Sequence, residues 1–322
     1  MTNPDITLVA TALRGASSCL IVTHVNPEGD AIGSQLALAL ALEQHGITVH
    51  CYDQDGVPEN CRFLPTWERV LQTLPEVIPP LVIYVDADRL ERCGLRLEDL
   101  PGAETFVRID HHVSDAIDPG PSFVNPQAAA AGELVFELLP ALQATVTPEI
   151  ATCLQTALMV DTGRFSYTNT KPKTLRIAAE LIGAGADLPM IVDWIWGRVK
   201  FSSAKMLGIA LSSLQVTADG RIAWAILRHE DFLTAGASAE ESEGIIDHVR
   251  SVQGALVAAL FTEKRGVVRV SLRSHGEVDV AEISRSFGGG GHVKAAGASF
   301  DEPIEFAICQ VLQAIEAKLP PR

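Results

Sequence analysis

The chain has 322 residues, 47% hydrophobic and 20% charged, with a formal net charge of −15 and a pI of about 5.0. That composition excludes a disordered chain, and its acidity excludes a protein that wraps long nucleic acid with a basic field. The length fits two domains, and any nucleic-acid substrate is expected to be short or held by a small local patch. Cys19, Cys51, Cys61, Cys93, Cys153 and Cys309 are scattered with no CxxC pair, which reads as the reduced thiols of a cytoplasmic protein. The start, Met1 to Asp5, lacks the basic opening of a signal peptide. The apolar stretches all fall short of the roughly 18 residues a membrane span needs, so no membrane partner is expected.

Residues 18–23 (Ser-Cys-Leu-Ile-Val-Thr) form a short apolar run of buried-strand type. The run delivers His24 and then Val25-Asn26-Pro27-Glu28-Gly29-Asp30, where Pro27 and Gly29 force a loop. Residues 31–45 read as a helix closed by Gly46, so His24, Glu28 and Asp30 hang on a strand–loop–helix junction. Asp30 alone also reads as an ordinary helix N-cap. A second strand is expected over residues 47–52. A third, residues 81–85, ends in Asp86-Ala87-Asp88. A fourth, residues 105–109, ends in Asp110-His111-His112. Strands alternating with helices predict a parallel sheet with right-handed crossovers, whose carboxyl ends share one edge. His24, Asp86, Asp110 and His111 are then expected to converge.

Helices are predicted over residues 132–139, 148–160 and 173–184. The second delivers Asp161-Thr162-Gly163. An acid at a helix C-terminus sits against the macrodipole and calls for a nearby cation, unless it is simply an exposed end residue. Residues 188–214 are helical in pattern and read as the connector, with Trp194 and Trp196 as packing residues. Beyond them, hairpin signals occur around Asp219-Gly220 and around Lys264-Arg265-Gly266. Further helices are predicted over residues 240–250, 278–287 and 304–318. The expected fold is therefore α/β: an N-terminal, mainly parallel sheet flanked by helices (residues 1–187), a helical linker (188–214) and a smaller α+β domain (215–322).

Two stretches carry chemistry. Asp110-His111-His112 offers carboxylate oxygen and imidazole nitrogen at one point, a mixture suited to Mn²⁺, Zn²⁺ or Fe²⁺. By itself it also reads as a capped strand end with surface histidines. Gly288-Gly289-Gly290-Gly291-His292-Val293-Lys294 places four costly glycines before two donors. Bare backbone N–H groups that must approach a phosphate would explain it, and so would a flexible loop.

Taken together, these motifs resemble the DHH phosphoesterase family over nearly the whole chain. The first motif matches His24-Val25-Asn26-Pro27-Glu28-Gly29-Asp30, the second Val85-Asp86, the third Asp110-His111-His112 and the fourth Asp161-Thr162-Gly163. The run Gly288–Gly291, His292, Lys294, Ala295, Ala296 and Gly297 is similar to the DHH-associated substrate domain. Size and layout are most similar to the nanoRNase and pAp-phosphatase branch.

The resemblance implies two divalent metal ions, Mn²⁺ first among the candidates. One would be held by His24, Glu28 and Asp86, the other by Asp30, Asp86, His111 and Asp161, with Asp86 as the bridge. Asp110 would orient the neighbouring imidazoles, and His112 would face the substrate phosphate as general acid or transition-state stabiliser. Glu28 departs from the Asp usual in the family at that place. Arg273, the glycines, His292 and Lys294 would bind substrate, although a structural salt bridge is an alternative for Arg273.

The activity implied is hydrolysis of short oligoribonucleotides and of 3′-phosphoadenosine 5′-phosphate (pAp) by metal-activated hydroxide. Cyclic or linear dinucleotide phosphodiesterase activity, or nucleotide binding without catalysis, remain the alternatives. No partner is expected among membranes or long duplexes, and a homodimer stays open.

Overall fold

The structure is a computed structural model that describes residues 4–114, 120–238, 240–242 and 244–321. The chain divides into two compact units, one ending at Arg198 and the other beginning at Val199.

The first unit opens with helix α1 (Pro4–Arg14), which has no counterpart in the sequence reading. Strand β1 (Ser18–Val22) leads through the His24 loop into helix α2 (Gly29–Glu43). Strand β2 (Thr48–Tyr52), a two-residue strand β3 (Val70–Leu71), β4 (Leu81–Val85), β5 (Thr105–Asp110) and β6 (Ser122–Val124) complete the sheet. The strands pair in parallel in the order β3-β2-β1-β4-β5-β6. Winding therefore reverses between β1 and β4, and in open α/β sheets ligands bind at that reversal, outside the carboxyl ends. β4 is buried along its whole length, which is why it reads as an unbroken apolar run.

Helices α3 (Ala131–Leu142), α4 (Pro148–Asp161) and α5 (Pro172–Gly183) follow. Pro148 and Pro172 start the last two at positions where the missing N–H is harmless. α2 packs tightly on α4. A Cβ at Gly33 would lie 2.5 Å from the Cys153 carbonyl oxygen, so only glycine permits this approach. The close contact brings the start of α2, with Asp30, beside the end of α4, with Asp161.

The continuous helical pattern read over residues 188–214 is interrupted. α6 (Leu188–Val192) runs into a single π-helical turn over Asp193–Gly197. The backbone then extends at Arg198 and Lys200 before α7 (Phe201–Ser212). Gly197 and β-branched Val199 are poor helix formers at that break. Trp194 stacks on Phe63 with centroids 5.8 Å apart, and the Arg198 guanidinium lies 3.8 Å from the Trp194 ring centroid. The packing role expected for Trp194 is what the structure displays.

In the second unit, β7 (Gln215–Val216) and β8 (Ile222–Leu227) form the hairpin around Gly220. Helix α8 (His229–Ala235) was not foreseen. The helix expected over residues 240–250 is a 3₁₀ turn at Glu240–Ser242 and then α9 (Ile245–Arg250), with Glu243 outside the described residues. β9 (Val257–Lys264) and β10 (Val267–Ser274) form the second hairpin. They are followed by α10 (Val280–Arg285), β11 (Gly290–His292), β12 (Ala295–Phe300) and α11 (Ile304–Glu316). The sheet order is β11-β12-β10-β9-β8-β7. Part of the glycine run is thus an edge strand rather than a loop, because β12 supplies its pairing partners Gly297, Ala296 and Ala295.

One face of this sheet packs Phe261, Val270 and Leu272 in a core that includes Ile283 of α10 and Val311 of α11. The other packs Ala225, Leu227 and Leu260 with Met206, Phe232 and Val249 of α7, α8 and α9. Over β10 and β12 that second face instead carries Arg269, Ser271, Arg273, Ala295, Gly297 and Ser299, which line a cavity of about 710 Å³. No described helix is long and apolar enough to cross a membrane.

Candidate metal centre

Asp86 follows β4 directly and adopts a left-handed backbone, with φ of 59°. Aspartate tolerates that region better than most residues, and such strain collects at functional positions. Its N–H donates to the Ile109 carbonyl at 3.0 Å, which locks it between β4 and β5. The carboxylate is buried. Oδ2 lies 3.5 Å from His24 Nε2, and Oδ1 lies 3.3 Å from His111 Nε2. Oδ1 nevertheless accepts no hydrogen bond. A buried carboxylate oxygen without a donor is costly, and a cation bound to it would remove the cost.

The remaining groups close around it. His24 Nε2 is 3.5 Å from Glu28 Oε1. His111 Nε2 is 3.3 Å from Asp161 Oδ2 and 3.7 Å from Asp30 Oδ2. Three overlapping donor sets result among the described residues: His24 with Glu28 and Asp86, Asp30 with His111 and Asp161, and Asp86 with His111 and His112. Within each, one ligating atom per residue lies within 4.8 Å of the others. Mixed imidazole and carboxylate donors at this density fit divalent transition ions. All six residues expected as ligands are brought together.

Asp30 is not the cap of its own helix. Glu28 occupies the N-cap position of α2, and Asp30 sits in the first turn. Its carboxylate reaches across to α3, accepting from Ala131 N at 2.7 Å and Gly132 N at 2.9 Å, and from Ser34 Oγ at 2.9 Å. It therefore caps the N-terminus of a different helix.

The charges report the same crowding. Burial opposes the charged form of His24, but bonds to Asp86 and Glu28 outweigh it and push the imidazole up to about 11. Burial likewise opposes charge on His111, while Asp86, Asp30 and Asp161 push it up to about 10. Asp161 rises to about 7 through burial and the Asp86 charge. Burial and the charges of Asp86 and Asp161 hold Asp30 well above the usual carboxylate range. Asp86 stays below that range, since His111 and His24 overcome its burial.

Asp110 serves His112. Its Oδ1 accepts from the His112 backbone N at 3.2 Å and lies 2.7 Å from His112 Nδ1. Its Oδ2 accepts from Arg108 Nη2 at 2.7 Å, a pair fully inside the protein. The bond from Asp110 raises the imidazole of His112 above its ordinary value. His112 Nδ1 also lies 3.7 Å from Asp86 Oδ1, but its bond to Asp110 occupies that nitrogen. Sequence reasoning missed Arg108. The available signal was an arginine inside an apolar strand, two residues before an acid and so on the same face of β5. It also missed Asp53 and Asp55. Asp53 accepts from Thr23 Oγ1 at 2.7 Å, and Asp55 accepts from Asn26 N at 2.7 Å, which fixes both ends of the His24 loop's entry.

In the second unit, Arg273 pairs across the sheet with Ala295, and Ala295 pairs with His292. Directly opposed residues share a face, so Arg273 and His292 flank the small Ala295 in one row. The Lys294 ammonium donates to the Gly276 carbonyl of its own unit. The next row along is Ser271, Gly297 and Gly290.

The sequence profile of the DHH family N-terminal domain matches residues 18–158, and that of the DHHA1 domain matches residues 231–319. Over 314 residues, 97% of this chain and 94% of the other, the chain is 35% identical to the bifunctional oligoribonuclease and PAP phosphatase NrnA of Thermus thermophilus. The chain belongs to the DHH family. It is also 27% identical to the protein of the same name from Bacillus subtilis, covering 86% of this chain and 87% of that one. Among solved structures, an exopolyphosphatase-related protein from Bacteroides fragilis superposes with a TM-score of 0.86 at 25% identity, covering 98% of each chain. The Glu28 side chain is 50% exposed, and with Oε1 3.5 Å from His24 Nε2 it sets a carboxylate at the rim of the site.

Proposed function

We propose that the chain is a dinuclear-metal phosphoesterase that hydrolyses short oligoribonucleotides to mononucleotides and pAp to AMP. The observation that carries this reading is Asp86 Oδ1, a buried acceptor without a donor, set between the two donor groups. His24, Glu28 and Asp86 would hold one divalent ion, and Asp30, Asp86, His111 and Asp161 the other. Mn²⁺ suits the mixed donor set. When bound, such a pair lowers the pKa of the attacking water and offsets charge on the phosphoryl oxygens.

The protein's own groups do the rest. Asp110, neutralised on one oxygen by Arg108, holds His112 in one tautomer and favours its protonated form. With Nδ1 so engaged, Nε2 of His112 is the donor available to a phosphoryl or leaving oxygen. In the second unit, Arg273, His292 and the backbone of Gly288 to Gly291 would bind nucleotide. Lys294 would support that row through Gly276. Small Ala295 and Gly297 leave room on the same face for a sugar or base. The relatives named above act on short RNA and on PAP by their names, and this geometry supports the same substrate class here. Six free cysteines support a cytoplasmic setting.

Turnover of pAp and of a diribonucleotide by metal-stripped protein, with and without added Mn²⁺, tests the reading. Activity should appear with metal and vanish with chelator, and Asp86→Ala should bind neither ion. Two Mn²⁺ still bound in Asp86→Ala would defeat the ligand assignment.

A further inference from the structure

The two carboxylates of the second donor set come from α2 and α4, which pack against each other along their length, and one side chain further ties the end of α4 to the start of α3. Asn169 Nδ2 donates to the Ala129 carbonyl at 3.0 Å and to the Asp161 carbonyl at 3.0 Å. Both amide hydrogens are thereby used. The Asp161 carbonyl is one of the last in α4, where no intrahelical donor is available. Ala129 lies just before α3, and its N–H is held by Glu133 Oε2 at 3.3 Å. Two residues on, the N–H groups of Ala131 and Gly132 grip the Asp30 carboxylate. A chain of bonds therefore runs from Asp30, through the α3 N-terminus and Asn169, to Asp161. The third atom of the amide, Oδ1, is buried and has no donor. A buried amide that leaves its acceptor unsatisfied is held in place by its two donor bonds.

We infer that Asn169 is a positioning residue for the second metal site, fixing the separation of Asp30 and Asp161 without touching the ion. The inference rests on the dinuclear reading above. Outer partners of metal ligands commonly change affinity by about 10–100-fold when removed. The effect should fall on one ion, because the His24, Glu28 and Asp86 set shares no bond with Asn169.

Mn²⁺ titration of metal-free protein, followed calorimetrically, tests it. Wild type should bind two ions. Asn169→Asp keeps the shape but loses both donors, and should bind one ion normally and the other at least about tenfold more weakly. Asn169→Gln retains the donors and should recover part of that loss. In combination with Asp161→Ala, the Asn169→Asp effect should disappear. In combination with Glu28→Ala most of it should persist, since Glu28 and Asp161 belong to different donor sets that share only Asp86. Wild-type affinity for both ions in Asn169→Asp would overturn the inference. So would equal loss at both sites with a lowered metal-free melting midpoint, or a folded Asn169→Gln no better than Asn169→Asp. Failure of wild type itself to bind two ions would instead remove the dinuclear reading on which the inference stands.

Discussion

Arg108 and Asp110 stand two residues apart on β5, so both side chains leave the same face of the strand, and Arg108 Nη2 donates to Asp110 Oδ2 at 2.7 Å out of solvent. The pair links the sheet interior to His112. Removing one partner of a buried ion pair leaves an uncompensated charge, at a cost of about 3–5 kcal/mol. Arg108→Met should therefore destabilise the first unit by that amount, read from urea unfolding of metal-free protein. A loss below about 1 kcal/mol would mean that Asp110 is neutral in the fold or is served by another cation.

The Asp110 bond to His112 carries a pH signature. Asp110 raises the His112 imidazole, so removing its charge should lower that pKa toward the ordinary value. If protonated His112 is the donor to the reacting phosphate, activity falls as pH rises through its pKa. A lower pKa moves that basic limb to lower pH. Asp110→Asn should accordingly shift the basic limb of the kcat profile for pAp acidward and lower kcat at pH 8. A basic limb that stays in place would assign the proton to another group.

How much of this arrangement was legible follows from what each residue interacts with. β4 is an apolar run buried along its whole length and β1 is buried after Ser18, so their pattern suffices, whereas the apolar runs of β2 and β5 are interrupted by His50 and by Arg108. β3 and β6, with two and three residues, are too short to show a period. β11 contradicts local propensity outright, since glycine disfavours strands, and exists because β12 offers it a partner. The six proposed ligands were readable because each stands close to one end of an apolar strand or helix. What Asp30 does beyond that was not readable. Its carboxylate caps α3, and its partners lie 101 and 102 residues further along the chain. The place of Lys294 beside the glycines reads as a phosphate donor, and the contact of its ammonium with the Gly276 carbonyl has no trace in the local sequence.

Metal loading should release protons. In the metal-free protein His24 titrates at about 11 and His111 at about 10, so both imidazoles are charged at pH 8. Asp161, at about 7, is mostly ionised there and contributes little. A nitrogen that binds metal must first lose its proton. Filling both sites at pH 8 should thus release at least two protons, one from each imidazole, with Asp30, held well above the usual carboxylate range, as the source of any further one. Calorimetric titrations in buffers of different ionisation enthalpy measure the number directly. Release near zero would show that the two imidazoles hold no proton to give up at pH 8, and would overturn the protonated pair expected in the metal-free protein.

The four glycines before His292 can be separated by what the fold already demands of each. Gly288 has φ of 74° and Gly291 has φ of 137°, so both are constrained by backbone conformation. A Cβ at Gly289 would lie 2.1 Å from the Gly297 carbonyl oxygen, and one at Gly291 would lie 2.5 Å from that of Ala295. Gly290 has neither constraint: its φ is not positive, and a Cβ there meets nothing within 4 Å. Nothing within its own unit requires glycine at Gly290, although it faces Gly297 in the row next to Arg273, Ala295 and His292. Alanine in a strand is no worse than glycine for folding. Gly290→Ala should therefore keep the melting midpoint within a degree or two of wild type, at about 0–0.5 kcal/mol. If bare backbone must reach the nucleotide, the same variant should raise KM for a diribonucleotide about tenfold or more, as expected when roughly 1.4 kcal/mol of contact is lost. Its turnover of a generic aryl phosphate, which needs only the metal centre, should stay near wild type. Gly289→Ala should behave in the reverse way, losing stability by about 1–3 kcal/mol through overpacking. A Gly290→Ala enzyme with an unchanged KM for the dinucleotide would assign the glycine run to the β11–β12 pairing alone and take it out of substrate recognition.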